Sequence, residues 1–246
     1  MSSNLANLDH FRDLRLPDAK AEYLRQLDDL SIDALSFEER ISLILERETQ
    51  ARRNRRIARR IKDASLKVAA YKEEFSFESN RGISKSEFAN LMSLSWVRGA
   101  HNAIITGASG TGKTYMACLI GTEAARGDLT VRYHRTSDLI ERLSMARADG
   151  SYRSFSAFYK KLDLLLLDDF GLSPLSIMAC RELLDILDDR VQNCSTVIAS
   201  QYPVEVWHKI LDDKTAADAI LDRLAHDSHQ INLIGESMRK VRANKA

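Results

Sequence analysis

The sequence predicts an α/β fold in which a parallel five-stranded sheet, flanked by helices, follows a small all-helical domain. Three observations predict it: a long helical stretch without Gly or Pro, a later alternation of short apolar runs with helical segments, and a glycine-rich turn joining the first apolar run to a helix.

At 246 residues, 44% hydrophobic and 29% charged, with only 10 Gly and 3 Pro, the chain has material for one large core plus a small extra domain. Cys118, Cys180 and Cys194 lack metal-ligand spacing and read as reduced core thiols. Met1 to Arg15 has no apolar leader segment, and no apolar run approaches the length needed to span a bilayer. The expectation is a cytoplasmic protein without a membrane contact.

Residues 1–70 read as the helical domain. Ser36-Phe37-Glu38-Glu39 matches a capping box, in which the serine hydroxyl and the second glutamate each satisfy a free backbone N–H at a helix start. Arg40 to Val68 then reads as one long helix, or two with a small break. Within it Arg52, Arg53, Arg55, Arg56, Arg59, Arg60 and Lys62 place seven cations and no acid in eleven residues, although the net charge of the whole chain is only +1. At 3.6 residues per turn they gather in half a turn of arc, with Ile57, Ile61 and Val68 opposite. A solvated charged face is the bland reading of such a run. The absence of interleaved acid favours contact with a polyanion such as the DNA backbone.

Residues 71–82, with Phe75 and Phe77 among acids and serines, read as a linker, and 83–246 as the second domain. Apolar runs at Ala103–Thr106, Thr130–Tyr133, Leu162–Leu167, Thr196–Ala199 and Gln230–Ile234 are the expected strands. Two helices, Ser137–Ala148 and Phe155–Lys161, are expected between the second and third.

Gly107-Ala108-Ser109-Gly110-Thr111-Gly112-Lys113-Thr114 fits G-x-x-x-x-G-K-[ST], and it follows an apolar strand and opens a helix, as a phosphate-binding P-loop does. Such a loop curls so that backbone N–H groups and a helix N-terminus face phosphates. Lys113 would reach the β- and γ-phosphates of ATP, Thr114 would take a magnesium position, and Tyr115 completes the contact set. Downstream, Leu164–Leu167 reads as a strand covered on both faces and ends in Asp168 and Asp169. An acid at a strand's carboxyl end meets ligands there, so Asp168 is the expected Mg2+-side residue and Asp169 the residue that orients or deprotonates water. Two acids ending a strand before a turn at Gly171 is the structural alternative.

The loop, the acidic strand, Ser200-Gln201-Tyr202-Pro203, Asp222-Arg223-Leu224 and Gly235-Glu236-Ser237-Met238-Arg239-Lys240 together resemble the IstB family. These are ATPase helpers of insertion sequences that move with the IstA transposase. Leu35 to Arg40 and the arginine cluster extend the resemblance over nearly the whole chain. It implies a P-loop AAA+ core of the DnaC/DnaA-like branch that binds and hydrolyses ATP, self-associates into a higher oligomer, and assembles on duplex DNA with little sequence preference. It also implies a transposase of the IstA type as partner. By position, Ser200 or Gln201 would be a polar sensor, Arg223 an arginine finger acting on a neighbouring subunit, and Arg239 a second sensor. Two departures stand out: Asp169 occupies a place where many AAA+ proteins carry Glu, which implies slow or partner-dependent hydrolysis, and the chain has no room for a full helical lid. The same motifs would serve a DnaC-like helicase loader, and, with less support, a small-molecule P-loop kinase.

Overall fold

A computed structural model describes residues 2–75, 77, 81–225 and 228–238. The chain forms two compact units, Met1–Arg59 and Arg60–Ala246. The first contains α1 (Ser2–Asp13), α2 (Pro17–Asp28) and most of α3 (Phe37–Ala64). Pro17 starts α2 where its missing N–H costs nothing. The same helix start is capped from α3, where Glu48 Oε2 accepts from the Asp18 and Ala19 N–H groups at 2.9 and 3.0 Å. The capping box at α3 is formed, with Ser36 N–H donating to Glu39 at 2.8 Å and Glu39 N–H to Ser36 Oγ at 3.3 Å.

The helix stops earlier than the sequence suggests. Ser65 takes a left-handed φ of 52°, and Val68, expected on the apolar face, is 37% exposed beyond the helix end. The expected linker at 71–82 also differs from the observed division. The units part at Arg59/Arg60, inside α3, and Ala70 and Phe75 are buried in the core of the second unit. Phe75 stacks on Phe88 at a centroid distance of 4.5 Å, so Phe75 is packed into the second unit rather than left on a tether.

The second unit continues with α4 (Lys85–Ser93), α5 (Ser95–Arg98), β1 (Asn102–Gly107), α6 (Lys113–Arg126) and β2 (Val131–Arg135). There follow α7 (Thr136–Ala148), α8 (Tyr152–Lys160), β3 (Leu164–Phe170), α9 (Ile177–Arg190), β4 (Ser195–Ser200), α10 (Trp207–Ile210), α11 (Lys214–Ala225) and β5 (Ser228–Leu233). All five expected strands and both expected helices are present. The strands form one parallel sheet in the order β2-β3-β4-β1-β5. Alternation along each strand sends Ala103, Ile105, Leu164, Leu166 and Val197 to the face covered by α4, α5 and α6. Ile104, Leu165, Leu167 and Ile198 go to the face covered by α7, α8, α9 and α11. Burial on both faces is why these strands read as unbroken apolar runs.

Buried Arg190 closes the amino edge of the sheet. Its guanidinium donates to the carbonyls of Tyr159, Leu162 and Ser195 and to Thr196 Oγ1, tying α8, β4 and the approach to β3 together. Burial lowers its pKa to about 10, which still leaves it charged at neutral pH. Among the described residues, no helix is long and apolar enough to cross a membrane.

Candidate nucleotide-binding site

The site lies at the carboxyl edge of the sheet, where β1 opens into the glycine turn and β3 delivers its two acids. Gly110 and Gly112 have φ of 86° and 104°, a region side chains rarely tolerate, and both lie in the turn before α6. A Cβ at Gly112 would have nothing within 4 Å, so the loop curls around open space at the N-terminus of a 14-residue helix. At Gly110 a Cβ would lie 2.3 Å from Ser237 Oγ, and Met238 N–H donates to the Gly110 carbonyl at 2.9 Å. The segment after β5 therefore rests on the loop. In the sequence, the resemblance gave that segment a second sensor, Arg239, and no contact with the loop.

Lys113, mostly buried, donates from Nζ to the Gly107 and Ala108 carbonyls at 2.8 Å each, which lays its ammonium across the mouth of the turn. Thr111 Oγ1 donates to the Ala108 carbonyl at 2.9 Å and braces the loop from within. Ser109 belongs to the same turn, and Tyr115 donates to the Tyr71 carbonyl at 3.3 Å.

Asp168 is buried, with 1% of its surface exposed. Its Oδ2 accepts from Thr114 Oγ1 and from the Tyr133 hydroxyl at 2.7 Å each, and its carbonyl accepts from Thr136 Oγ1 at 3.0 Å. Burial, then the hydrogen bond to Asp168, raises the Tyr133 pKa, so Tyr133 serves as a fixed donor. Leu167 pairs with Ile198 but Phe170 with Ser200, so β3 carries one extra residue at Asp168-Asp169. Asp169 takes φ 55° in this bulge, and Arg135 Nε lies 3.6 Å from its Oδ2. A bulge of this kind re-aims a side chain that a regular strand would send into the neighbouring layer. Tyr133, Thr136 and Arg135 were missed in the sequence, where the only signal was their place at the end of the strand preceding the acidic one.

Ser200 and Gln201 separate. Ser200 is fully buried, with its hydroxyl donating to the Phe170 carbonyl at 2.8 Å and accepting from Tyr202 N–H at 3.1 Å, so it joins the ends of β3 and β4. Gln201 follows the residue in register with Thr106 and enters the loop beside the glycine turn. Arg223 is at the other end of the sheet. Its carbonyl accepts from Asn102, the first residue of β1, at 2.8 Å, and its guanidinium donates to Asp188 on α9. Arg239 lies outside the described residues.

The arginine cluster is less uncompensated than its local sequence implies. Arg52 pairs with Glu48 at 2.7 Å, Arg55 with Asp18 at 2.6 Å, and, in the second unit, Arg60 with Asp128 at 2.6 Å. Arg53, Arg59 and Lys62 are exposed with no ion pair among the described residues, and Arg56 is also exposed.

With the site described, comparison with known proteins fixes its kin. A model of the IstB-like ATP binding protein family matches residues 8–246. The chain belongs to this family. An insertion-sequence ATP-binding protein by name, y4pL of Sinorhizobium fredii, is 42% identical over 214 residues, covering 87% of each chain. A second relative so named, from the insertion sequence IS21 of Pseudomonas aeruginosa, is 28% identical over 212 residues, covering 86% of this chain and 80% of its own. Among solved structures, AMPPCP-bound DnaA from Aquifex aeolicus aligns with a TM-score of 0.57 at 22% identity, over 74% of this chain and 55% of that one. DnaI aligns with a TM-score of 0.57 at 19% identity, over 67% and 91%. At these identities the likeness shows a common fold alone. This member of the IstB-like family thus keeps the P-loop and the acidic strand on the parallel sheet expected for ATP binding.

Proposed function

We propose that the chain is a magnesium-dependent ATPase that assembles on duplex DNA and assists a transposase of the IstA type. The observation that carries the ATPase reading is the hydrogen bond between Thr114 and Asp168 beside an open, glycine-lined turn crossed by Lys113. A phosphate chain entering that turn would take over the Lys113 ammonium from its two carbonyls, with the α6 N-terminus behind it. Thr114 and Asp168 form the donor set that suits Mg2+, which would neutralise charge on the β- and γ-phosphates. Asp169, set by its bulge, would orient the attacking water and take its proton, and Gln201 would contact the water or the γ-phosphate. Arg223 would act on the nucleotide of a neighbouring subunit, which makes hydrolysis depend on self-association.

The DNA reading rests on Arg53, Arg59 and Lys62, exposed on α3 with no ion pair among the described residues, and Arg56 is exposed beside them. Such contacts neutralise phosphates and carry no base readout, so affinity should fall by about 0.9 log units per decade of salt for each phosphate contacted. The relatives' names support insertion-sequence transposition as the setting, in preference to helicase loading. Two measurements test the proposal. Fluorescent-nucleotide titration should show Lys113→Ala losing most of its affinity, and filter binding with duplex DNA and ATP should show Arg53→Ala/Arg56→Ala/Arg59→Ala losing retention. Parental behaviour of either folded variant would sink the corresponding half.

A further inference from the structure

A segment without an assigned role reaches the acid pair. After α3 ends at Ala64, Ser65 turns the chain and Leu66 descends onto the P-loop helix, where a Cβ at Gly121 would lie 2.8 Å from Leu66 Cδ2. Ala64 and Ala70 are fully buried on either side. Arg132 donates to Ser65 Oγ at 3.1 Å, and backbone groups of Val68 and Lys67 hydrogen-bond the Cys118 thiol, one helical turn beyond Thr114. Anchored this way, the segment directs Lys67 at the carboxylates. Its Nζ is 3.7 Å from Asp168 Oδ2 and 4.0 Å from Asp169 Oδ2, and its side chain is 31% exposed, which leaves it a path to solvent.

Two cations at such distances from one carboxylate repel each other, and the repulsion is strongest where the carboxylate is buried, as Asp168 is. We propose that Lys67 is a positioning residue that competes with Mg2+ for Asp168, so that loading Mg·ATP requires its ammonium to withdraw toward solvent. The inference rests on the nucleotide-site reading above. Its consequence is a raised metal requirement, set from the chain segment that joins α3 to the core.

The test uses the full chain and a fluorescent ATP analogue titrated with Mg2+. Lys67→Gln should reach half-saturation at about five- to tenfold lower Mg2+, whereas Lys67→Arg, which keeps the charge, should titrate like the parent. An unchanged or higher Mg2+ midpoint for Lys67→Gln overturns the proposal. So does an equal loss of nucleotide affinity with Mg2+ and in EDTA, which would make Lys67 a phosphate contact. A second readout needs no variant: amine-reactive labelling of the parent, resolved by mass spectrometry. Lys67 should label about threefold faster with Mg2+ and AMPPCP than with AMPPCP in EDTA, and slower or equal labelling overturns the proposal. Failure of the nucleotide-site reading itself is distinguishable, because then the parent would bind no nucleotide in either condition.

Discussion

Thr114 Oγ1 and Asp168 Oδ2 are 54 positions apart in the chain and 2.7 Å apart in the structure. The bond ties the first turn of α6 to the end of β3, strands β1 and β3 being separated in the sheet by β4. With Tyr133 donating to the same oxygen, Asp168 is oriented before any ligand arrives. Preorganisation of this kind is what makes a small number of polar groups effective.

Asp168→Asn should therefore abolish ATP turnover by about 10²-fold or more while the chain stays folded, because the amide keeps the shape and loses the charge. Thr114→Ser should retain most activity and Thr114→Val should not. Phosphate release, with circular dichroism as the folding control, checks all three.

Asp169 separates conformation from chemistry. Its left-handed φ costs a non-glycine residue about 1–3 kcal/mol, so Asp169→Gly should melt at or above the parent temperature yet turn over ATP poorly. Asp169→Val should lose both stability and turnover. Calorimetry paired with phosphate release distinguishes the variants, and an active Asp169→Gly would remove Asp169 from the mechanism.

How much of this was legible in the sequence varies with the range of the interaction. The strands could be read because burial on both faces makes them continuously apolar, and the P-loop because its glycines answer a local backbone demand. The start of α3 was equally readable, since Ser36 and Glu39 satisfy each other within one turn. The end of α3 was not, because no Gly or Pro marks it. Tertiary packing of Leu66 onto Gly121 accompanies the turn at Ser65. The partners of the arginines were hidden for the same reason, Asp18 lying 37 positions from Arg55 and Asp128 farther still from Arg60. Glu48 lies four residues before Arg52, one helical turn ahead of the acid-free stretch. The donor Tyr133 became visible only with the pairing of β2 to β3.

Arg190→Met should be strongly destabilising. It removes a buried charge together with its hydrogen bonds to three carbonyls and the Thr196 hydroxyl, leaving acceptors stranded in the core. Loss of one side of such a network costs about 3–5 kcal/mol, measurable as a shifted urea midpoint.

His134 should impose an acid limit on stability. Burial, aided by Arg142 and Arg132, depresses its pKa from 6.5 to about 4, and its Nε2 sits 2.8 Å from the Tyr159 hydroxyl. The unfolded chain therefore binds a proton that the folded chain refuses. The stabilisation is complete above pH 6.5, falls by up to about 1.4 kcal/mol per pH unit as pH drops toward 4, and levels off below that. In His134→Gln this part of the slope should vanish from urea unfolding measured across the same range.

The position of Arg223 carries one more consequence. Its carbonyl meets the first residue of β1, whereas the glycine turn begins at the last, and a six-residue strand is about 20 Å long. An arginine side chain spans roughly a third of that, so no rotamer and no release from Asp188 lets this guanidinium touch a phosphate held by its own polypeptide. If Arg223 takes the role proposed for it, the triphosphate it meets would have to be carried by another molecule, because the length of β1 separates it from the turn of its own chain.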